Sequence, residues 1–164
     1  MSIQSNRDNA TGQASAADWQ QYVAFELGDQ FYGVEITSVR EIRQWSPTTE
    51  LPNQPHYGRG VLDIRGEVVP VYDLRARFGG PVVDVTDSHV VLIVSIDDRS
   101  IGILVDTVSD IIDLGAADMR PVPDGAREAE HETVTSLANH GDRMIALLDL
   151  SALFGIRDRV AARC

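Results

Sequence analysis

The chain of 164 residues has a single cysteine, Cys164, its last residue. No intramolecular disulfide can form, which is compatible with a reducing cytoplasm. No apolar run approaches the ~20 residues that cross a bilayer, so direct membrane insertion is not expected. Residues 1–18 hold no apolar block of signal-peptide type; they are rich in Ser, Ala, Asn and Gln and read as a mobile tail. Basic residues are scarce: 14 Lys and Arg stand against 25 Asp and Glu, a net charge of −11. Nucleic acid needs cations to displace its counterions, so it is excluded as a partner. An anionic membrane surface would also be repelled. Aromatics are only 6% of the chain, too few for a stacking platform.

Catalytic signatures are missing too. His56, His89, His131 and His140 are scattered, with no H-x-x-x-H spacing and no cysteine beside them, so no metal site is expected. Neither G-x-x-x-x-G-K-[ST] nor G-x-G-x-x-G occurs, and no serine lies in G-x-S-x-G. The acidic stretch from Glu128 to Glu132 reads as a solvated face or loop. No cofactor is implied, and the chain is not expected to be an enzyme.

What the chain does have is a repeat. Asp73-Leu74-Arg75-Ala76-Arg77-Phe78-Gly79 returns 76 residues later as Asp149-Leu150-Ser151-Ala152-Leu153-Phe154-Gly155, both D-L-x-A-x-F-G. Upstream, the run from Gly33 to Ile42 is echoed from Gly102 to Ile111, a step of 69. The order of the echoes is the same in both halves, so one small module is written twice. A barrel of about 60 residues is marginal alone, and two copies sharing a core make physical sense.

The local grammar is that of strands and tight turns. Tyr22–Leu27 and Phe31–Ile36 flank a Gly28-Asp29-Gln30 turn, and Gly60–Ile64 and Glu67–Tyr72 flank Arg65-Gly66. Pro70 lacks an amide proton and belongs at an edge or bulge. Ile36, Val39 and Ile42 recur at helical spacing, which reads as a helical turn or a strand entry. Val90–Ile96 is a continuous apolar run, expected to be a strand buried on both faces. Asp97-Asp98-Arg99 and Gly141-Asp142-Arg143 are further turns, and Arg120–Gly125 is a Pro/Gly loop. Asp73 and Asp149 each cap a short helix. The fold class expected is mainly β: two small five-stranded antiparallel barrels from a duplicated module, with short helices.

Three features bear on function. A repeated carboxylate can form a catalytic pair, which would require Asp73 and Asp149 to approach within ~6 Å; helix capping explains both without catalysis. Arg65, in the turn between apolar strands, either pairs with Asp63 or Glu67 or anchors a partner's carboxylates or carbonyls. Val39 and Ile42 beside Glu41 are either core or the lip of a groove between the halves.

The series Phe25-x-Leu27-Gly28, Tyr32-Gly33, Val39-x-Glu41-Ile42, Gly60-Val61-x-x-Ile64-Arg65-Gly66 and Val69-Pro70-Val71-x-Asp73-Leu74-Arg75 resembles the CheW family of chemotaxis adaptors. The match continues through Gly102-Ile103-x-Val105-Asp106-x-Val108-Ser109-Asp110, Arg120-Pro121-x-Pro123 and Gly141-Asp142-Arg143-Met144. It runs in order from about residue 20 to 156. The resemblance implies two SH3-like five-stranded barrels around a shared core, divided as 19–85 and 86–156, with a C-terminal tail, 157–164, packing on the first.

It also implies a non-enzymatic cytoplasmic scaffold beneath receptor arrays at the inner face of the membrane. Such a scaffold couples methyl-accepting chemoreceptors to the histidine kinase CheA through the kinase's regulatory domain. Receptor contact maps to Val39, Glu41, Ile42, Gly60, Arg65, His89 and Val90, and kinase contact to Arg120, Asp124 and Gly125. His89 stands where the family carries a small hydroxyl residue, Gly125 where it carries an aromatic one, and the loop around Trp45–Asn53 diverges. On this mapping Gly60→Arg weakens receptor coupling with the fold intact. The alternative within the family is a coupling protein of another array, for surface motility or development. A piece of a larger chain is a further possibility, against which the short tails argue.

Overall fold

The computed structural model describes residues 19–81, 83–123 and 133–154. The expected tails (1–18 and 157–164), the acidic stretch with His131, Asp124 and Gly125 of the expected kinase contact, and Cys164 lie outside the described residues.

The first hairpin is β1 (Gln20–Leu27) and β2 (Gln30–Glu35), turning at Gly28. A 3₁₀ turn, Ile36–Ser38, leads into β3 (Val39–Gln44). Next come β4 (Gly58–Ile64), β5 (Glu67–Asp73) and the one-turn helix α1 (Leu74–Arg77). The second copy supplies β6 (Val90–Ile96), β7 (Arg99–Val105) and β8 (Thr107–Leu114). After a 3₁₀ turn at Ala116–Asp118 it continues with β9 (Met119–Arg120), β10 (Val134–His140), β11 (Arg143–Leu148) and α2 (Leu150–Phe154). The hairpin turns have a local cause. Arg65-Gly66 (φ 51° and 86°) and Asp97-Asp98 (φ 52° and 65°) take positive φ at both positions, the twist that two-residue turns between strands require.

The strands form two sheets, ordered β3-β6-β7-β5-β4 and β8-β1-β2-β11-β10-β9. The division at residue 85 is therefore not how the sheets are built. Each copy lends its leading hairpin to the other: β1–β2 join the strands of the second copy, and β6–β7 join those of the first. The exchange is reciprocal in register. Ile42 opposes Leu92 while Ile111 opposes Val23, and Val71 opposes Gly102 while Leu147 opposes Gly33. Such i-to-j and j-to-i pairing is the signature of a twofold relation. Gly33 and Gly102 keep these parallel pairings close: a Cβ on Gly33 would come 3.0 Å from Leu147, and one on Gly102 would come 3.2 Å from Val71 and 2.9 Å from Val91 on the antiparallel neighbour β6.

The strand count also differs between the copies. Past β3, Thr49 exchanges two backbone hydrogen bonds with Val61 of β4, 2.9 and 2.8 Å, closing the five-stranded sheet. In the other barrel the corresponding closure is long enough to be a strand, β9, paired with β10. Pro70 sits opposite Val61 beside the irregularity in β4, one residue before β7 joins β5, so its missing N–H leaves no ladder bond broken.

Three apolar clusters result. Tyr22, Ala24, Ile112, Leu114, Ala138, Ile145 and Leu147 fill one barrel. Leu62, Ile64, Val69, Val71, Val91, Ile93 and Leu104 fill the other. Between them lies the largest cluster, in which Val23, Phe25, Leu27 and Val34 meet their repeat counterparts Leu92, Val94, Ile96 and Ile103. β6 is thus buried on both faces, as its unbroken apolar run predicts.

Candidate partner-binding groove

In a regular strand Val39 and Ile42 would point to opposite faces. The β3–β6 register slips at Arg40, so Val39 opposes Val94, Glu41 opposes Ile93 and Ile42 opposes Leu92. That bulge puts Val39 and Ile42 on the side of the central core and turns Glu41 and Arg43 toward the barrel side. The three-residue spacing read from sequence is therefore produced by a 3₁₀ turn plus a bulge, and both open readings hold in part. Val39 packs against the central core, while Ile42 is 44% exposed at its rim.

Glu41 is held from two sides. Arg65 reaches it at 2.9 Å from the β4–β5 turn and Arg43 at 3.2 Å from its own strand. Arg65 thus pairs with neither Asp63 nor Glu67; Asp63 instead accepts the Gly66 N–H at 2.9 Å and closes the turn. The Arg65 side chain remains 75% exposed, so its other donors are open to a ligand. Val90 opens β6 opposite Gln44, the last residue of β3, and His89 just before it accepts the Trp45 N–H on its carbonyl at 3.0 Å.

Gly60 differs from the rest. Its φ is +102°, and a Cβ there would lie 2.4 Å from the Thr49 carbonyl oxygen. It permits barrel closure, so Gly60→Arg cannot leave the fold intact. Of the residues expected to meet the kinase, Arg120 is exposed on β9, its guanidinium donating to the Ala117 and Met119 carbonyls.

Helix capping accounts for both repeated carboxylates. Asp73 accepts the Ala76 N–H, and Asp149 accepts those of Ser151 and Ala152. The two line different cavities, Asp149 one of about 310 Å³ that also holds Glu35 and Ser38. Both are caps.

A carboxylate that sequence reading passed over is Asp106, at the β7–β8 junction. Its Oδ2 accepts the Gly28 N–H at 2.7 Å and Arg75 at 2.6 Å. Burial opposes its charge, but the Gly28 N–H and Arg75 outweigh burial, with a contribution from His89, and hold the carboxyl below its ordinary range. Burial, then Glu35, pushes the Tyr22 hydroxyl up.

Exposed apolar residues recur in repeat-related pairs. Ile42 and Ile111 (44% and 49% exposed) are 69 apart, and Val68 and Met144 (66% and 52%) are 76 apart. β8 has its own slip at Ser109, so Val108, Asp110 and Ile111 repeat the arrangement of Val39, Glu41 and Ile42. The echo between Gly33–Ile42 and Gly102–Ile111 contained this second face.

A family model, the CheW-like domain, matches residues 21–158. The chain belongs to the CheW family. It is 38% identical over 143 residues to the chemotaxis protein CheW of Rhizobium meliloti (strain 1021), covering 87% of this chain and 92% of that one. Identity to CheW of Klebsiella aerogenes is 37% over 134 residues, 82% and 81% of the two chains. To protein FrzA of Myxococcus xanthus it is 33% over 162 residues, 92% and 95%. The crystal structure of the scaffolding protein TtCheW from Thermoanaerobacter tengcongensis superposes with a TM-score of 0.76 at 28% identity, covering 84% of this chain and 93% of that one. CheW proteins are non-enzymatic adaptors built of two SH3-like subdomains. The present chain is accordingly a scaffold coupling chemoreceptors to CheA in chemotaxis. Among its described residues, no helix is long and apolar enough to cross a membrane.

Proposed function

We propose that the receptor docks on the face built by Val39, Glu41, Ile42 and Arg65, continuing toward His89 and Val90, and that this occurs in the cytoplasm beneath receptor arrays. The observation that carries this is the edge strand β3, which presents exposed Ile42 on its central side and the Glu41–Arg65 pair on its barrel side. A receptor helix would seat apolar side chains at the rim of the central core, while the Arg65–Glu41 pair fixes its register. Gly60 serves this face indirectly, by holding the barrel closed under it.

The regulatory domain of CheA is assigned to the six-stranded barrel, whose surface carries Arg120 and the exposed Ile111 and Met144. Two quasi-equivalent apolar faces on one rigid body let two partners be engaged together. Signalling then requires the adaptor to favour one receptor state by ~1–3 kcal/mol.

The test is calorimetric titration of the purified protein against the CheA regulatory domain, with Ile42→Asp and Ile111→Asp side by side. Saturable binding that Ile111→Asp weakens and Ile42→Asp leaves unchanged is expected. Equal loss in both variants would overturn the division of faces, and absence of binding by the parent chain would overturn the partner.

A further inference from the structure

His89 is the one candidate receptor residue with an imidazole, and its surroundings offer that ring two hydrogen-bond arrangements. The Thr86 N–H donates to His89 Nδ1 at 3.1 Å, and the His89 N–H donates to the Thr86 carbonyl at 3.0 Å. An N–H donor at Nδ1 means that this nitrogen carries no proton, so the neutral ring is protonated at Nε2. Nε2 lies 3.6 Å from Asp106 Oδ1, and the side chain is 16% exposed. The charged groups lining the same small cavity are Asp73 and Arg75, from the capped start of α1, and Asp106 from the β7–β8 junction. The loop of His89 itself adds Asp84 and Asp87.

Protonation would place a second proton on Nδ1, which cannot face the Thr86 N–H. Thr86 Oγ1, 3.2 Å from Nδ1, accepts the Ser88 N–H at 3.3 Å and has a second lone pair for the ring while its proton goes to Ser88 Oγ at 2.8 Å. The ring can then donate to that hydroxyl and present imidazolium to Asp106, leaving the Thr86 N–H without its acceptor. We propose that His89 is a proton-operated latch: neutral, its Nδ1 accepts the Thr86 N–H and braces the turn that the backbone bond closes; protonated, it releases that N–H and presents imidazolium to Asp106, loosening the entry of β6 into the receptor-facing groove. The entry is mechanically connected, because the His89 carbonyl also holds the Trp45 N–H at the end of β3.

The latch is tested on the full chain without partners, by NMR titration from about pH 5 to 8. The His89 ring and the Thr86 amide should shift with one midpoint, and exchange of the Thr86 amide, corrected for its intrinsic pH dependence, should rise about fivefold on the acid side. His89→Gln, whose side-chain carbonyl can accept the Thr86 N–H at any pH, should abolish both changes. A Thr86 amide that ignores the His89 midpoint, or follows that of His56 or His140, overturns the latch.

Coupling to the groove rests on the receptor reading above and has its own arm. Affinity for a soluble receptor tip should differ about fivefold between pH 6 and 8 in the parent and not in His89→Gln. Equal affinities in the parent overturn the coupling. Retained binding by Arg65→Ala at pH 8 would instead overturn the receptor reading itself.

Discussion

Arg77 donates from Nε to the carbonyl of Leu153 at 3.2 Å, and the two residues hold the same position in the two copies of D-L-x-A-x-F-G. A residue that touches its own counterpart lies beside the axis relating the copies. The same guanidinium is 5.4 Å from the Tyr57 ring centroid, and Tyr57 and Tyr72 of the first copy pack on Phe154 of the second. The one-turn helices are thus the clasp of a duplicated fold whose hairpins have changed places.

Arg77→Ala removes the bond to Leu153 and the cation over Tyr57. The expected cost is about 1–2 kcal/mol, read as a lower urea midpoint. The slope of the transition should be unchanged, because the surface exposed on unfolding is the same. A separate early transition for one barrel would contradict a shared core.

Gly60→Ala should destabilise by about 2–4 kcal/mol, combining the disfavoured φ with the collision at the Thr49 carbonyl. Thermal unfolding checks this. Any loss of receptor coupling in this variant should track its loss of folded protein, and a fully stable variant with lost coupling would place Gly60 in direct contact instead.

Arg65→Ala separates stability from binding in the other direction. Its pair with Glu41 is exposed, so the fold should change by less than about 0.5 kcal/mol. Receptor binding should weaken by about 2 kcal/mol, since an anchoring Arg donates in a fixed fork. Paired calorimetric and chemotaxis-ring measurements check both halves, and normal chemotaxis would remove Arg65 from the groove.

Asp106→Asn tests the acid limb. The folded Asp106 carboxyl is held below its ordinary range, so its contribution is fully present above about pH 4, the unfolded carboxylate value. That contribution is lost as pH falls through the lower folded value. The variant should be less stable than the parent by about 1–2 kcal/mol at neutral pH. The gap should narrow below about pH 4. Urea midpoints across that range measure it.

The capped helices, the two-residue turns and the doubly buried β6 were legible because each is dictated by neighbours in sequence: an Asp before a helix, Asp-Asp or Arg-Gly at positive φ, an unbroken apolar run. So was the duplication itself, since identical residues at a fixed step survive without any knowledge of contacts. Which hairpin completes which barrel was not legible. β1–β2 and β6–β7 have the same apolar pattern, and either partner satisfies their backbone hydrogen bonds; only the close parallel approach at Gly33 and Gly102 and the shared core select the exchanged arrangement. The groove divides in the same way. Sequence alone determined which residue types were available to it, Val39, Glu41, Ile42, Arg65 and His89. The bulge at Arg40, the reach of Arg65 across to Glu41 and the facing of His89 on Asp106 depend on strands distant in the chain, and tertiary packing alone decided them.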